Sequence, residues 1–365
     1  MEYPKTENET CYEVREIPQK HKGMVATRDI PVGELILREK YILACNQTKY
    51  PAETKKLMEG FDALSDEKQS QVMALWKHET PGYDIIFRES LRACRQEYDW
   101  LPESQDNEFL KFLHIFQTNA YMIQVEEMDD DEDQPLLALF IVASRINHSC
   151  YPNTTYRFED KKYMTIRASR PIVKGEEITN YYVSAGNPSR KSDLQVAWGF
   201  ECACPVCCRN DPTVDSDAFE KILVDIAKLK NSRDTGGEIN GIKVVRKFRG
   251  DQDRLKRMLD QTEQRLALYD KLNWVPELRC EHATRSDISR HLWDLTKVPK
   301  YLEIRLESAK EAIRWGKVDY GPDTNFFVPH FVDVVRRLEA ALNPPSEDDA
   351  AEDADPADAG DEDGA

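Results

Sequence analysis

Three cysteines, Cys202, Cys204 and Cys207, fall within one six-residue stretch. Thiolates at that spacing can wrap one face of a tetrahedral zinc ion, and only one face. The fourth ligand must come from elsewhere. Cys208 is an awkward neighbour for the same ion, because it directly follows Cys207. Cys150 is the candidate, and if it closes the site, the chain near 150 must meet the chain near 205. The alternative is a buried cysteine group with no metal. Cys11, Cys45, Cys94 and Cys280 are solitary. The start, Met1-Glu2-Tyr3-Pro4-Lys5-Thr6, lacks the apolar core of a signal peptide. No run approaches the ~18 apolar residues of a membrane span. The expectation is an intracellular protein, in nucleus or cytoplasm, with no membrane association. Its nine cysteines then serve as metal ligands or free thiols rather than disulfides.

Cys150 sits in a second unusual stretch, Arg145-Ile146-Asn147-His148-Ser149-Cys150-Tyr151-Pro152-Asn153. It follows the apolar run Leu136 to Val142, where a buried element should end. Asn147 and His148 offer several hydrogen-bond donors and acceptors side by side. Pro152 fixes the backbone just beyond them. Taken alone, Asn-His-Ser reads as an ordinary polar turn.

The chain has 365 residues, enough for about two or three domains. Its 40% hydrophobic content supports a sizeable core. The formal net charge is −17, and much of the excess lies in the tail from Glu347 to Asp363, which holds no basic residue. With no strongly basic stripe, direct nucleic-acid binding is not expected. A basic protein partner suits the charge better.

The pattern along the chain changes four times. Tyr12–Ile17, Met24–Thr27 and Glu34–Glu39 read as short strands with tight turns. From about 50 to 125 the apolar spacing is helical, with Leu64, Val72, Leu75 and Trp76 on one face and Leu110, Phe112, Leu113, Phe116 and Ala120 on another. An acidic loop, Glu126 to Asp133, has little reason to be ordered. Strand alternation then resumes in Thr154–Phe158 and Tyr163–Ala168, with a β-rich segment from Ile178 to Val183. Past 215 the spacing is helical again, reading as a small bundle or array. The polar ends, 1–10 and 344–365, are expected to be disordered.

Four motifs in order carry a family resemblance. They are Lys22-Gly23-Met24-Val25-Ala26-Thr27-Arg28-Asp29-Ile30-Pro31-Val32-Gly33, the Arg145–Asn153 stretch, Gly175-Glu176-Glu177-Ile178-Thr179-Asn180-Tyr181-Tyr182, and the cysteine cluster. Together they resemble the SET-domain protein methyltransferases, with a post-SET cysteine element. The split layout resembles the SMYD branch without its MYND zinc finger, and the nearest likeness is to MYND-less SET proteins common in fungi. The resemblance implies an α+β protein: a mainly-β SET fold with a helical insertion and a knot-like crossing near Asn147-His148. A zinc-binding post-SET element and a helical C-terminal region follow. The implied division is 11–45 and 116–200 for the two parts of the SET domain, 46–115 for the insertion, 201–212 for the post-SET element and 213–343 for the helical domain.

The resemblance also implies the chemistry. Such a protein moves a methyl group from S-adenosylmethionine to a lysine of a histone or other protein, and is expected to be a monomer. Lys22, Gly23, Met24, Asn119, Asn147, His148, Tyr182 and Phe200 are the implied cofactor contacts. Asn119 also reads as a helix-end residue, and Phe200 as ordinary packing. Tyr182 is the implied catalytic residue, with Tyr181 and Trp198 along the lysine channel; as a plain sheet aromatic, Tyr182 needs no function. The metal set is Cys150, Cys202, Cys204 and Cys207. Two departures stand out. His21 replaces the first glycine of the family's Gly-x-Gly, which places a ring where little room is expected and would reshape or block the cofactor site. Trp198 stands where the SMYD branch usually has tyrosine, which would narrow the channel. The competing reading is a catalytically inactive SET scaffold that binds a protein partner.

Overall fold

The computed structural model describes residues 10–46, 53–80, 82–97, 106–123, 135–183, 187, 189–209, 215–230, 250–324 and 327–343. The expected disorder of 1–9 and 344–365 and the acidic loop at 126–133 lie outside the described residues. Contacts divide the chain into two units. The first gathers 1–231 with two later segments, 268–276 and 317–322; the second holds 232–267, 277–316 and 323–365.

The first unit is built on three small sheets. Strands β1 (Tyr12–Ile17) and β2 (His21–Ala26) form a hairpin, with Arg15 opposite Gly23. β3 (Leu35–Lys40), β9 (Tyr163–Ala168) and β8 (Thr154–Glu159) make the second sheet. β4 (Leu43–Asn46), β6 (Leu136–Leu139) and β5 (Tyr121–Ile123) make the third. Met24, Ile30, Ile36, Phe140, Ile146, Met164, Ile166 and Ile178 fill one core among the strands. Among the described residues between β4 and β5 lie the helices α1 (Thr54–Asp62), α2 (Asp66–Met73), α3 (Tyr83–Glu97) and α4 (Asp106–Asn119). Leu57, Met58, Phe61, Val72, Phe87, Leu91, Phe112 and Phe116 give them a core of their own, which Leu43, Cys45 and Leu139 extend onto the third sheet.

Where a knot-like crossing is expected, the structure has a short parallel pairing. β7 (Asn147–His148) lies alongside β10 (Glu177–Asn180), pairing Thr179 with Asn147 and Asn180 with His148. β10 also pairs antiparallel with β2. So two residues of the central stretch complete the first sheet, in the order β1-β2-β10-β7. A two-residue strand cannot hold itself, and Asn153 supplies what the ladder lacks. Its fully buried side chain accepts the Thr179 N–H at 2.8 Å and donates to Glu177 O and Glu176 Oε1, both at 2.9 Å.

Two expectations end early, each for a local reason. The strand predicted to reach Val183 stops at Asn180. Asn180 Oδ1 takes the Tyr181 N–H and His148 Nδ1 takes the Tyr182 N–H, which removes both donors from any ladder. The helix predicted through Leu75 and Trp76 ends at Met73, and Leu64 falls between α1 and α2, where the Ser65 side chain caps α2.

After β10 come α5 (Arg190–Trp198), α6 (Pro205–Cys208) and α7 (Ser216–Lys230). Later helices are α8 (Gln252–Leu272), α9 (Val275–Thr296), α10 (Lys300–Tyr320) and α11 (Val328–Leu342). In the second unit, Leu255, Met258, Leu259, Ile288, Leu292 and Tyr301 form one cluster, and Ala283, Ala309, Ala312, Phe331, Val334 and Leu338 another. The end of α10 belongs to the first unit. There Asp319 is buried and accepts from Thr155 Oγ1 at 2.9 Å and from Arg157 Nε at 2.8 Å, with Arg157 Nη2 on the same oxygen.

Truncating Asp319 strands the guanidinium and the threonine hydroxyl together. Arg157 keeps 21% exposure, which softens the loss. Asp319→Ala is expected to lower stability by about 2–4 kcal/mol, somewhat below the ~3–5 kcal/mol for breaking a fully buried pair. Urea unfolding at pH 7, against wild type and Arg157→Ala, measures it.

Candidate active site

The four cysteines named from sequence converge. Their sulfurs all lie within 4.8 Å of one another, with Cys150 Sγ 3.9 Å from Cys202 Sγ and 3.7 Å from Cys207 Sγ. Zinc–sulfur bonds of about 2.3 Å in a tetrahedron set sulfurs about 3.8 Å apart. The donor set therefore fits a zinc ion. α6 makes this possible: Cys204 precedes it, Pro205 starts it and Cys207 lies within it. Cys208, the next residue, is exposed. As bare thiols the four are in conflict. Hydrogen bonds from Cys150, Cys202 and Cys207 hold Cys204 far below the usual thiol range, while those with Cys202, Cys204 and Cys207 push Cys150 up. A divalent cation resolves this by taking all four as thiolates. Cys45 behaves differently: burial raises it to about 12, as for an inert core thiol.

His148 links this cluster to the crossing. Its Nδ1 accepts the Tyr182 N–H at 3.0 Å, so a neutral ring carries its proton on Nε2. Nε2 faces Cys150 Sγ at 3.5 Å. Burial pulls the imidazole down to about 4, so it is neutral at physiological pH. Arg190, at the start of α5, adds a cation beside Cys150 and pairs with Glu220 of α7.

Tyr182 follows directly. Its hydroxyl donates to Ile146 O at 2.8 Å, and burial pushes its pKa up, with Glu177 adding to the effect. Three rings surround it: Trp198 at 5.3 Å, His148 at 5.6 Å and Phe200 at 6.3 Å between centroids. Tyr181 lies 6.0 Å from Tyr156, which lies 5.7 Å from Tyr121. The Tyr121 hydroxyl donates to Ala143 O at 3.2 Å, so two phenols are tied to carbonyls of one turn. Sequence reading left Tyr121 and Tyr156 out of the site. Tyr156 carried only a strand signal, and Tyr121 only its place beside Asn119.

The first motif reaches the site through its backbone. A Cβ on Gly23 would lie 2.7 Å from Asn147 Nδ2, so the glycine lets β2 approach Asn147. Asn147 Nδ2 donates to Glu177 Oε1 at 2.9 Å and reaches Lys22 O at 3.4 Å. The Met24 side chain is fully buried in the core and Lys22 is exposed. His21 keeps a positive φ of 56°, the left-handed conformation a glycine would supply. Its ring stacks on Trp76 at 4.3 Å. The Asn119 amide donates to Trp76 O and Ile115 O, both at 2.7 Å, as a helix-end residue would. That leaves the amide oxygens of Asn119 and Asn147 as acceptors, which suits a ligand with amino groups.

Residues 21–183 match the family described as SET domain. Those residues carry a SET domain. It is 28% identical over 208 residues to the SET domain-containing protein L678 of Acanthamoeba polyphaga mimivirus, covering 53% of this chain and 76% of that protein. It is 27% identical over 199 residues to the histone-lysine N-methyltransferase set5 of Schizosaccharomyces pombe, covering 54% and 50%. Against SmydA-8 isoform A of Drosophila melanogaster the figures are 30% over 249 residues, covering 51% and 54%. The chain thus spans about half the length of the fission-yeast and insect relatives. Among solved structures, the SET domain of LSMT bound to lysine and AdoHcy aligns over 94% of both chains at 14% identity, with a TM-score of 0.38. Among the described residues, no helix is long and apolar enough to cross a membrane.

Metal analysis of the purified protein is expected to give about one zinc per chain, four thiolates making one tetrahedral site. Cys204→Ala and Cys150→Ala should both lose it, whereas Cys208→Ala should keep it. A full complement in Cys150→Ala would remove Cys150 from the ligand set.

Proposed function

We propose that the protein is a protein-lysine N-methyltransferase that uses S-adenosylmethionine. The observation that carries this reading is the pair of phenols, Tyr121 and Tyr182, whose hydroxyls donate to Ala143 O and Ile146 O. With its proton so engaged, each oxygen presents lone pairs to an incoming amine. The SET-domain match over 21–183 and the relatives named as histone-lysine methyltransferases support the same class.

S-adenosylmethionine, when bound, supplies a methyl group on a sulfonium, open to displacement by a neutral amine. Asn147, Asn119 and the backbone at Lys22–Met24 would hold it, with Phe200 against its adenine. The protein has to orient the amine and favour its neutral form. A free lysine titrates near 10.4, so little of it is neutral at pH 7. The aromatic wall of Tyr156, Tyr181, Tyr182 and Trp198 desolvates the ammonium and lowers that value. Tyr182 is no general base, because burial holds its hydroxyl protonated. It accepts a hydrogen bond from the amine and fixes its approach, and the displaced proton leaves to solvent before transfer. Alignment of this kind removes several kcal/mol of barrier.

The division into SET segments at 11–45 and 116–200, with zinc element 201–212, suits this reading. So does a substrate lysine in a histone or another basic protein, given the net charge of −17. A nuclear or cytoplasmic monomer follows from the same reading.

Methyl transfer from labelled S-adenosylmethionine to histones and a whole-cell extract tests it. Tyr182→Phe is expected to cut kcat about 10²–10³-fold, the usual loss of one preorganised polar group at a reacting centre. Its affinity for S-adenosylhomocysteine should stay within about 3-fold of wild type, a difference under 1 kcal/mol. With wild type, kcat/KM should rise with pH while the amine deprotonates, with no loss from Tyr182 ionisation below about pH 10. Tight cofactor binding with no transfer to any protein would favour the inactive scaffold.

A further inference from the structure

The segment after α2, Ala74–Thr80, belongs to the helical insertion rather than to any SET motif. It is nonetheless pinned to the SET part at several points. Ala74 O accepts from Arg145 Nη1 at 3.0 Å, Trp76 O from Asn119 Nδ2 at 2.7 Å, and Thr118 Oγ1 accepts the His78 N–H at 3.1 Å. From there it delivers three side-chain donors to one helix end. Trp76 Nε1 donates to Trp198 O at 3.0 Å, His78 Nε2 to Val196 O at 3.0 Å, and Thr80 Oγ1 to Ala197 O at 3.5 Å.

A helix C-terminus leaves its last carbonyls without intrahelical partners. In α5 the Gly199 N–H serves Leu194 O and Gln195 O, in the left-handed turn that glycine favours, at φ 76°. The next three carbonyls are the ones the insertion takes. His78 also explains the glycine sterically, since a Cβ there would lie 2.3 Å from His78 Nδ1. Because Nε2 faces a carbonyl, it must carry the ring proton.

These bonds lie at an open rim. Trp76 is 40% exposed, so water would serve the same carbonyls if the segment moved away. Their effect is therefore positional: they select one placement of Trp198-Gly199-Phe200. That turn carries the two rings that face Tyr182, at 5.3 and 6.3 Å. On its other side Trp76 stacks on His21, the residue that replaces the family's first glycine.

We infer that Trp76, His78 and Thr80 are positioning residues. They form a clasp that holds Trp198–Phe200 in place and, with the His21–Trp76 stack as its outer wall, closes the adenosyl end of the site. The inference rests on the S-adenosylmethionine reading above. It assigns to the insertion a direct part in cofactor affinity, and it gives the substituted His21 a partner in place of a clash.

Calorimetric titration of the full chain with S-adenosylhomocysteine tests it, with melting temperature and zinc content followed in parallel. His78→Leu and Trp76→Phe each remove one donor and should weaken binding about 2- to 10-fold. His78→Gln keeps an N–H at the same reach and should restore most of the affinity. Melting temperature should stay within about 3 °C of wild type, because the bonds are made at the rim. Wild-type binding with unchanged affinity in His78→Leu and Trp76→Phe overturns the clasp and leaves the methyltransferase reading standing. So does a loss that tracks melting temperature and that His78→Gln does not rescue. No binding of S-adenosylhomocysteine to wild type at millimolar concentration overturns the cofactor reading itself, and the clasp with it. If His78→Leu does not fold, Trp76→Phe, which keeps an aromatic ring, gives the answer.

Discussion

One imidazole holds the two halves of the site together. His148 lies in a strand of two residues, too short to be stable through its own ladder. Nδ1 takes the Tyr182 N–H, which ends β10 and turns the tyrosine inward. Nε2 faces the sulfur of Cys150. A neutral, buried ring can do both at once because its two nitrogens have opposite roles. Protonation would turn Nδ1 into a donor against a backbone donor, and desolvation opposes that. The strand crossing, the catalytic candidate and the thiol cluster therefore depend on a single ring, with Asn153 holding β10 from the other side.

Much of this was legible in the sequence. The cysteine spacing demanded a distant fourth ligand, and Cys150 lies with the other three, all sulfurs within 4.8 Å of one another. Asn147, His148, Tyr182 and Phe200 come together because their motifs occupy β7, the end of β10 and the residues that follow α5. What escaped were residues whose own segments carried no polar signal. Tyr156 alternates like any strand aromatic, Tyr121 lies where the spacing reads as helical, and only the meeting of the second and third sheets brings their ring centroids to 5.7 Å. Trp76 fitted a helical face by spacing. It left the helix because its indole N–H reaches Trp198 O, a partner 122 residues away that no local pattern can show.

His21 shows how a motif can lose a residue and keep its shape. The glycine of such a motif supplies a left-handed backbone and room for close approach. His21 retains the first, at φ 56°, at a cost of about 1–2 kcal/mol for a residue with a Cβ. The second need falls on Gly23, where a Cβ would collide with Asn147. The ring, which would have no place inside, lies outward on Trp76 at 4.3 Å. A tilted ring contact of that kind, between exposed side chains, returns part of that cost. A histidine at 21 without an aromatic at 76 would carry the strain with no return.

The same logic separates two kinds of cysteine in one chain. Cys45 is buried among Leu43, Leu57 and Leu139, and its thiol is pushed up to about 12. It is a small apolar side chain that happens to contain sulfur. Cys150 is equally buried, yet it has three sulfurs, an imidazole N–H and a guanidinium around it. Burial alone would make a thiolate there costly; the surrounding donors make a cluster of thiolates tolerable, and a divalent ion makes it favourable. Arg190 ties that cluster through Glu220 to α7, and α5 begins at the same residue. The metal site and the helix whose far end carries Trp198 thus share a starting point. An ion held by the four thiols would bear, through Arg190, on the helix that carries the ring beside Tyr182.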